Sequence, residues 1–130
     1  LFRRFPKLHL CADFSHWVCV CESLLDDQKD EMALAISRTR HIHTRVGYEE
    51  GPQVTDPAAP EFKRHLDRHL EWWDAIVQQH KKAGATLTIT PEFGPPGYQH
   101  TVPYTQQPLT DLWQICLWMA NLLRERYKTA

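Results

Sequence analysis

Strand-like and helix-like segments alternate three times along this chain, and each strand-like segment is apolar on only one of its two faces. Side chains of a strand point alternately to opposite sides, so its faces are assigned by counting in twos. In the first segment, residues 8–13, Leu8, Leu10 and Ala12 share one face and His9, Cys11 and Asp13 the other. In the second, 40–46, Ile42 stands opposite His41, His43 and Arg45. In the third, 86–90, Leu87 and Ile89 face one way, while Thr88, Thr90 and the following Glu92 face the other.

Helical periodicity fills the intervals. Residues 22–37 carry Leu24, Leu25, Met32 and Ile36, and residues 60–83 repeat Phe62, Leu66, Leu70, Trp73 and Val77 on one side, with Gly84 placed for a C-cap. Residues 109–127 bring Leu112, Ile115, Cys116, Met119 and Leu122 into register, with Pro108 suited to the first turn. Regular alternation of this kind predicts parallel strands joined by crossover helices. A doubly wound sheet would show continuous apolar strands, because helices cover both its faces. Strands that are apolar on one face fit a closed barrel better, with helices outside and a polar interior that supports a site. Neither an internal repeat nor a low-complexity tract is present, and residues 1–130 are expected to form one domain whose Pro/Gly stretches, including 91–103, are loops between units.

Charge narrows the partners. With 15 Lys+Arg against 16 Asp+Glu, a net charge of -1 and a pI of about 6.8, the chain offers no footprint for a polyanion, so nucleic acid and anionic membranes are not expected partners. No apolar run approaches the roughly 20 residues of a membrane span. The first residues show neither an initiator Met nor a secretory leader, so the chain is expected to be a piece of a longer one. Cys11, Cys19, Cys21 and Cys116 are expected to be buried thiols in a reducing cytoplasm. In particular, the C-x-C of Cys19 and Cys21 lacks the spacing of a zinc turn.

The polar face of each strand ends in a residue with metal chemistry: Asp13, His43 followed by Arg45, and Glu92. Barrel enzymes carry their catalytic groups at these C-terminal strand ends. Two carboxylates and an imidazole make a borderline-hard set suited to one divalent ion, Mn²⁺, Mg²⁺, Co²⁺ or Zn²⁺, with coordination left open for substrate. Arg45 would hold a substrate hydroxyl, phosphate or carboxylate, or make a salt bridge at the barrel mouth. Trp17 and Phe93 flank the proposed ligands and would either wall a sugar site or simply pack. His41 sits one layer deeper and is expected to be a hydrogen-bonded interior histidine. His65, His69 and His80 are assigned to a solvated helix face, although a pair four apart could bind an ion in isolation. Trp72 and Trp73 are assigned to packing.

The segments Asp13-Phe14-Ser15-His16-Trp17, His41-Ile42-His43-Thr44-Arg45-Val46-Gly47-Tyr48 and Thr90-Pro91-Glu92-Phe93-Gly94 resemble the last three strand ends of the sugar phosphate isomerase/epimerase family, the xylose isomerase-like TIM barrels. The resemblance implies an α/β fold in which three parallel strand-helix units form the C-terminal part of a (β/α)₈ barrel. It implies that Asp13, His43 and Glu92 are three of the ligands of one divalent metal, that His16 contacts substrate, and that Glu92 also transfers the proton. The activity implied is isomerisation or epimerisation of a sugar or sugar phosphate through an enediolate, with the metal polarising the carbonyl and glutamate acting as base or acid.

Such a barrel takes about 250 residues, so this chain would supply the sixth through eighth units. The family's first ligating Glu, from the preceding strand, has no counterpart here. Activity is therefore expected of the full-length parent and not of the isolated piece, whose open strand edges should favour self-association. Two alternatives differ in class. An abasic-site endonuclease on the same scaffold would need more His and acidic ligands and a basic rim, and a non-catalytic orphan piece would keep its ligands unfilled.

Overall fold

A computed structural model describes residues 1–128, so the last two residues of the expected domain lie outside the described part. Three strands, β1 (Leu10–Ala12), β2 (Thr39–His43) and β3 (Thr88–Thr90), form one parallel sheet in the order β1-β2-β3. Four helices, α1 (Phe14–Cys21), α2 (Lys29–Arg38), α3 (Lys63–Ala83) and α4 (Leu112–Arg126), complete the chain, and a 3₁₀ turn at Pro60–Phe62 leads into α3. The expected class, α/β with parallel strands and intervening helices, is what the chain adopts.

Strand order that follows chain order has no reversal, so crossovers of one hand all pass on the same side of the sheet. Burial shows the result. Ala12 and Ile42, neighbours across β1 and β2, are buried on the helix side with Phe14, Trp73, Ile76 and Met119. On the other side Cys11, Thr88 and Thr90 are exposed, and His41 and His43 are half-buried. The strands are shorter than expected because the pairing ends early: Leu8 is exposed, and a register irregularity falls between Leu10 and Cys11.

The first helical region departs most from expectation. Instead of one helix over residues 22–37, α1 starts at Phe14 and α2 only at Lys29. Asp13 caps α1, its Oδ1 accepting the Ser15 N–H at 3.2 Å. Glu22, at φ 48°, turns left-handed and ends it. The apolar run from Trp17 to Cys21 is therefore helical; Phe14 and Val18 are buried a turn apart, whereas Val20 and Cys21 face water. This corrects the expectation of buried thiols: all four cysteines are free, Cys11 and Cys21 are exposed, and Cys19 and Cys116 are half-buried.

Helix α3 supplies most of the wall behind the sheet. Trp72, Trp73, Ile76 and Val77 are buried, and Gly84, at φ 60°, closes it with its N–H on the carbonyls of His80 and Lys81. The expectation of a solvated histidine face is wrong for two of the three histidines. His69 and His80 are buried, and each satisfies Nδ1 on the carbonyl one turn back, His65 O at 2.8 Å and Ile76 O at 2.9 Å. Only His65 lies near the surface, 2.8 Å from Glu49 Oε2. Pro108 precedes α4 instead of opening it; Asp111 is the cap, accepting from Trp113 N and Gln114 N. At its far end α4 is tied to α3 by the two-pronged Arg126–Asp74 pair and by Tyr127 Oη, which donates to Asp74 at 3.0 Å. No helix among the described residues is long and apolar enough to cross a membrane.

Candidate metal centre

The C-terminal ends of the three strands converge on one cluster. Asp13 follows β1, His43 ends β2 and Glu92 lies just past β3; each offers a ligand atom within 4.8 Å of the others. Parallel register produces this: His43 pairs with Thr90, so the chain leaving β3 reaches Glu92 beside His43. His43 Nδ1 and Glu92 Oε2 are in direct contact, yet Glu92 Oε2 is buried and makes no hydrogen bond.

Arg45 organises the other half of the cluster. It is 2% exposed. Its Nη2 lies 2.5 Å from Asp13 Oδ2 and 2.6 Å from His16 Nε2, and its Nε donates to Ser15 Oγ at 3.1 Å. Ser15 Oγ in turn donates to Asp13 Oδ1 at 2.5 Å. A guanidinium can only donate, so His16 Nε2 is the acceptor and its ring proton sits on Nδ1. Tyr98 stacks beneath the guanidinium, 4.6 Å from ring centroid to Cζ. The remaining nitrogen, Nη1, is buried without a hydrogen bond, 3.8 Å from Glu92 Oε1.

These side chains are held from behind. Gly47 presses against the first turn of α1 so closely that a Cβ there would lie 2.8 Å from Ser15 O. Its N–H points to His69 Nε2 at 3.4 Å, linking the loop after β2 to α3. Burial holds the His69 imidazole neutral, with its pKa lowered to about 4. Gln53 joins the loops after β2 and β3, its amide donating to Gly94 O at 3.1 Å and accepting from Gly94 N at 2.7 Å.

A divalent ion fits this donor set. Glu92 Oε2 touches His43 Nδ1 and accepts no other hydrogen bond, and one lone pair of Asp13 Oδ2 stays free once Ser15 N, Ser15 Oγ and Arg45 Nη2 are counted. Two carboxylates around one guanidinium leave one negative charge in excess, which attracts a cation.

The structure brings together Asp13, His16, His43, Arg45 and Glu92. It does not bring Trp17 or Phe93 to them as a sugar wall. Phe93 is only 5% exposed and belongs to the core, while Trp17 packs edge-on against Phe14 at 5.2 Å and lines a surface hollow with Phe2, Gln28 and Leu34. His41 is hydrogen-bonded as expected, through Thr88 Oγ1 at 2.6 Å and Thr90 Oγ1 at 3.2 Å, but on the open face of the sheet. Burial, and then the carboxylates of Asp13 and Glu92, push the neighbouring Cys11 thiol up from its usual pKa. Ser15 and Tyr98 also reach Arg45, and neither carries a role in the sequence expectations. Ser15 had a signal, the Asp-x-Ser spacing of a helix cap, whereas Tyr98 sits in a Pro/Gly loop with no periodicity to place it. Compared with family models, with curated proteins and with solved structures, the chain finds no match in any of the three.

Proposed function

We propose that this chain forms the last three strand-helix units of a (β/α)₈ barrel of the sugar phosphate isomerase/epimerase kind, and that its parent is a cytoplasmic, metal-dependent isomerase or epimerase of a sugar or sugar phosphate. The observation that carries this reading is the meeting of Asp13, His43 and Glu92 at the C-terminal ends of adjacent parallel strands, with Glu92 Oε2 lying directly against His43 Nδ1.

Asp13, His43 and Glu92 would hold the ion. A divalent cation bound there would polarise a substrate carbonyl and stabilise the negative charge that develops on its oxygen. The protein's own groups do the rest. The Glu92 carboxylate removes the proton from the carbon next to the carbonyl; the C–H electron pair becomes the C=C bond of an enediolate as the carbonyl π pair moves to its oxygen. For isomerisation Glu92, its proton exchanged with solvent, protonates the former carbonyl carbon while the hydroxyl proton of the first carbon passes to that oxygen. Epimerisation needs a second proton-transfer group on the opposite face of the substrate. Arg45 Nη1, buried and without a hydrogen bond, would donate to a substrate oxygen that approaches beside Glu92. His16, its side chain 45% exposed and its Nε2 fixed by Arg45, presents Nδ1–H for a substrate hydroxyl.

The test is solvent-deuterium incorporation into a panel of ketoses by the full-length parent, with metal content measured by mass spectrometry on the same samples. Glu92→Gln should lower exchange by about 10²–10⁴-fold or more. His16→Ala should impair turnover or substrate affinity while metal stays near the wild-type level. Undiminished exchange in Glu92→Gln would overturn the reading, as would metal loss in His16→Ala alongside metal retention in His43→Ala.

A further inference from the structure

Beside the acidic cluster, on the open face of the sheet, lies a second set of donors that the proposed reaction does not use. Cys11 and His41 are register partners across β1 and β2, and His43 follows His41 by two residues on the same face. Three ligand atoms, one each from Cys11, His41 and His43, lie within 4.8 Å of one another, and the two imidazole rings stand nearly perpendicular with centroids 5.1 Å apart.

We propose that Cys11, His41 and His43 form a second cation site, selective for a soft or borderline divalent ion of the Zn²⁺ and Cd²⁺ class, which competes with the acidic cluster for His43. The donor chemistry sets the selectivity. A thiolate and two imidazoles favour Zn²⁺ or Cd²⁺ over Mg²⁺ and Mn²⁺, whereas Asp13 and Glu92 favour the harder ions. In this chain access is open, because Cys11 is exposed and His41 and His43 are half-buried; in a closed barrel the same face would line the interior.

An outer shell is already built. Thr88 and Thr90 each hold one nitrogen of His41, so when one nitrogen turns to an ion the other keeps its threonine hydroxyl and the ring keeps its orientation. Binding releases the Cys11 thiol proton to solvent. Because His43 belongs to both sets and two dications so close would repel, filling either site weakens the other, and by linkage the antagonism is mutual. The consequence is a soft-metal brake on whatever hard ion the acidic cluster holds. The soft site itself does not depend on sugar chemistry.

Cadmium is the probe, read by the ultraviolet charge-transfer band of a cadmium thiolate. In a chain with Cys19, Cys21 and Cys116 replaced by Ser, Cd²⁺ should give a band that saturates at one equivalent. Adding Cys11→Ser should abolish it, and adding His41→Gln should weaken Cd²⁺ binding by at least about tenfold with the circular dichroism spectrum unchanged. Manganese affinity, followed by paramagnetic resonance, should survive Cys11→Ser and fall when Cd²⁺ is added to the parent of that series. A band that persists without Cys11, or Cd²⁺ affinity indifferent to His41→Gln, would overturn the proposal. Loss of manganese binding in every variant would count against the acidic cluster instead. The unmodified chain gives an independent readout by alkylation and mass spectrometry: Cd²⁺ should protect Cys11 more than Cys21, which is also exposed, and equal protection would contradict the site.

Discussion

The two faces of the sheet obey different physics, and the contrast locates the chemistry. On the helix side Ala12 and Ile42 are buried with Phe14, Trp73 and Met119, so every position is constrained by volume. On the open side Cys11, His41, His43, Thr88 and Thr90 are polar or titratable and touch one another by hydrogen bonds and donor contacts. Packing explains the first set, cross-strand hydrogen bonds account for part of the second, and both proposed cation sites lie on that side and at its C-terminal rim.

The contrast predicts unequal mutational costs. Trp73→Ala, in the centre of the helix-side core, should lose about 3–5 kcal/mol in urea denaturation, enough to unfold a small domain. Thr90→Ala, on the open face, should stay within about 0.5 kcal/mol. A comparable loss for both would erase the distinction.

A pH effect should come from the helix side. His69 is neutral in the folded chain, with its pKa lowered from 6.5 to about 4, so between those values the unfolded chain binds the extra proton. Stability should therefore be complete above pH 6.5 and fall as the pH drops towards 4, by an amount on the order of 3 kcal/mol. Equilibrium denaturation across that range checks it, and His69→Gln should flatten the profile. A smaller effect should join the two faces. Gly47→Ala forces a Cβ to within 2.8 Å of Ser15 O, which should cost about 1–3 kcal/mol and loosen Asp13 and Arg45 through Ser15.

What could be read from the residues follows the same division. Period-two counting found the polar face and its terminal Asp13, His43 and Glu92, because alternation along a strand survives whatever packs behind it. Helical periodicity failed at residues 14–28, where an eight-residue helix capped by Asp13 is too short to stand out from an apolar run. Helical spacing alone places His69 and His80 in water, because it does not show which face of α3 the sheet covers; each buried Nδ1 meets the carbonyl one turn back, and His80 Nε2 stays without a partner. Tyr98 and the Gln53–Gly94 tie come from loops, where contacts between distant residues have no local signature.

The central claim is that the rim of the open face is a cation site made by three strands together. Manganese binding by paramagnetic resonance, on this chain and on Asp13→Asn, His43→Gln, Glu92→Gln and His16→Ala variants, tests it most directly. One equivalent should bind to the unmodified chain and to His16→Ala, and each of the other three should weaken binding by at least about tenfold. Equal binding by all five proteins, or loss confined to His16→Ala, would contradict it.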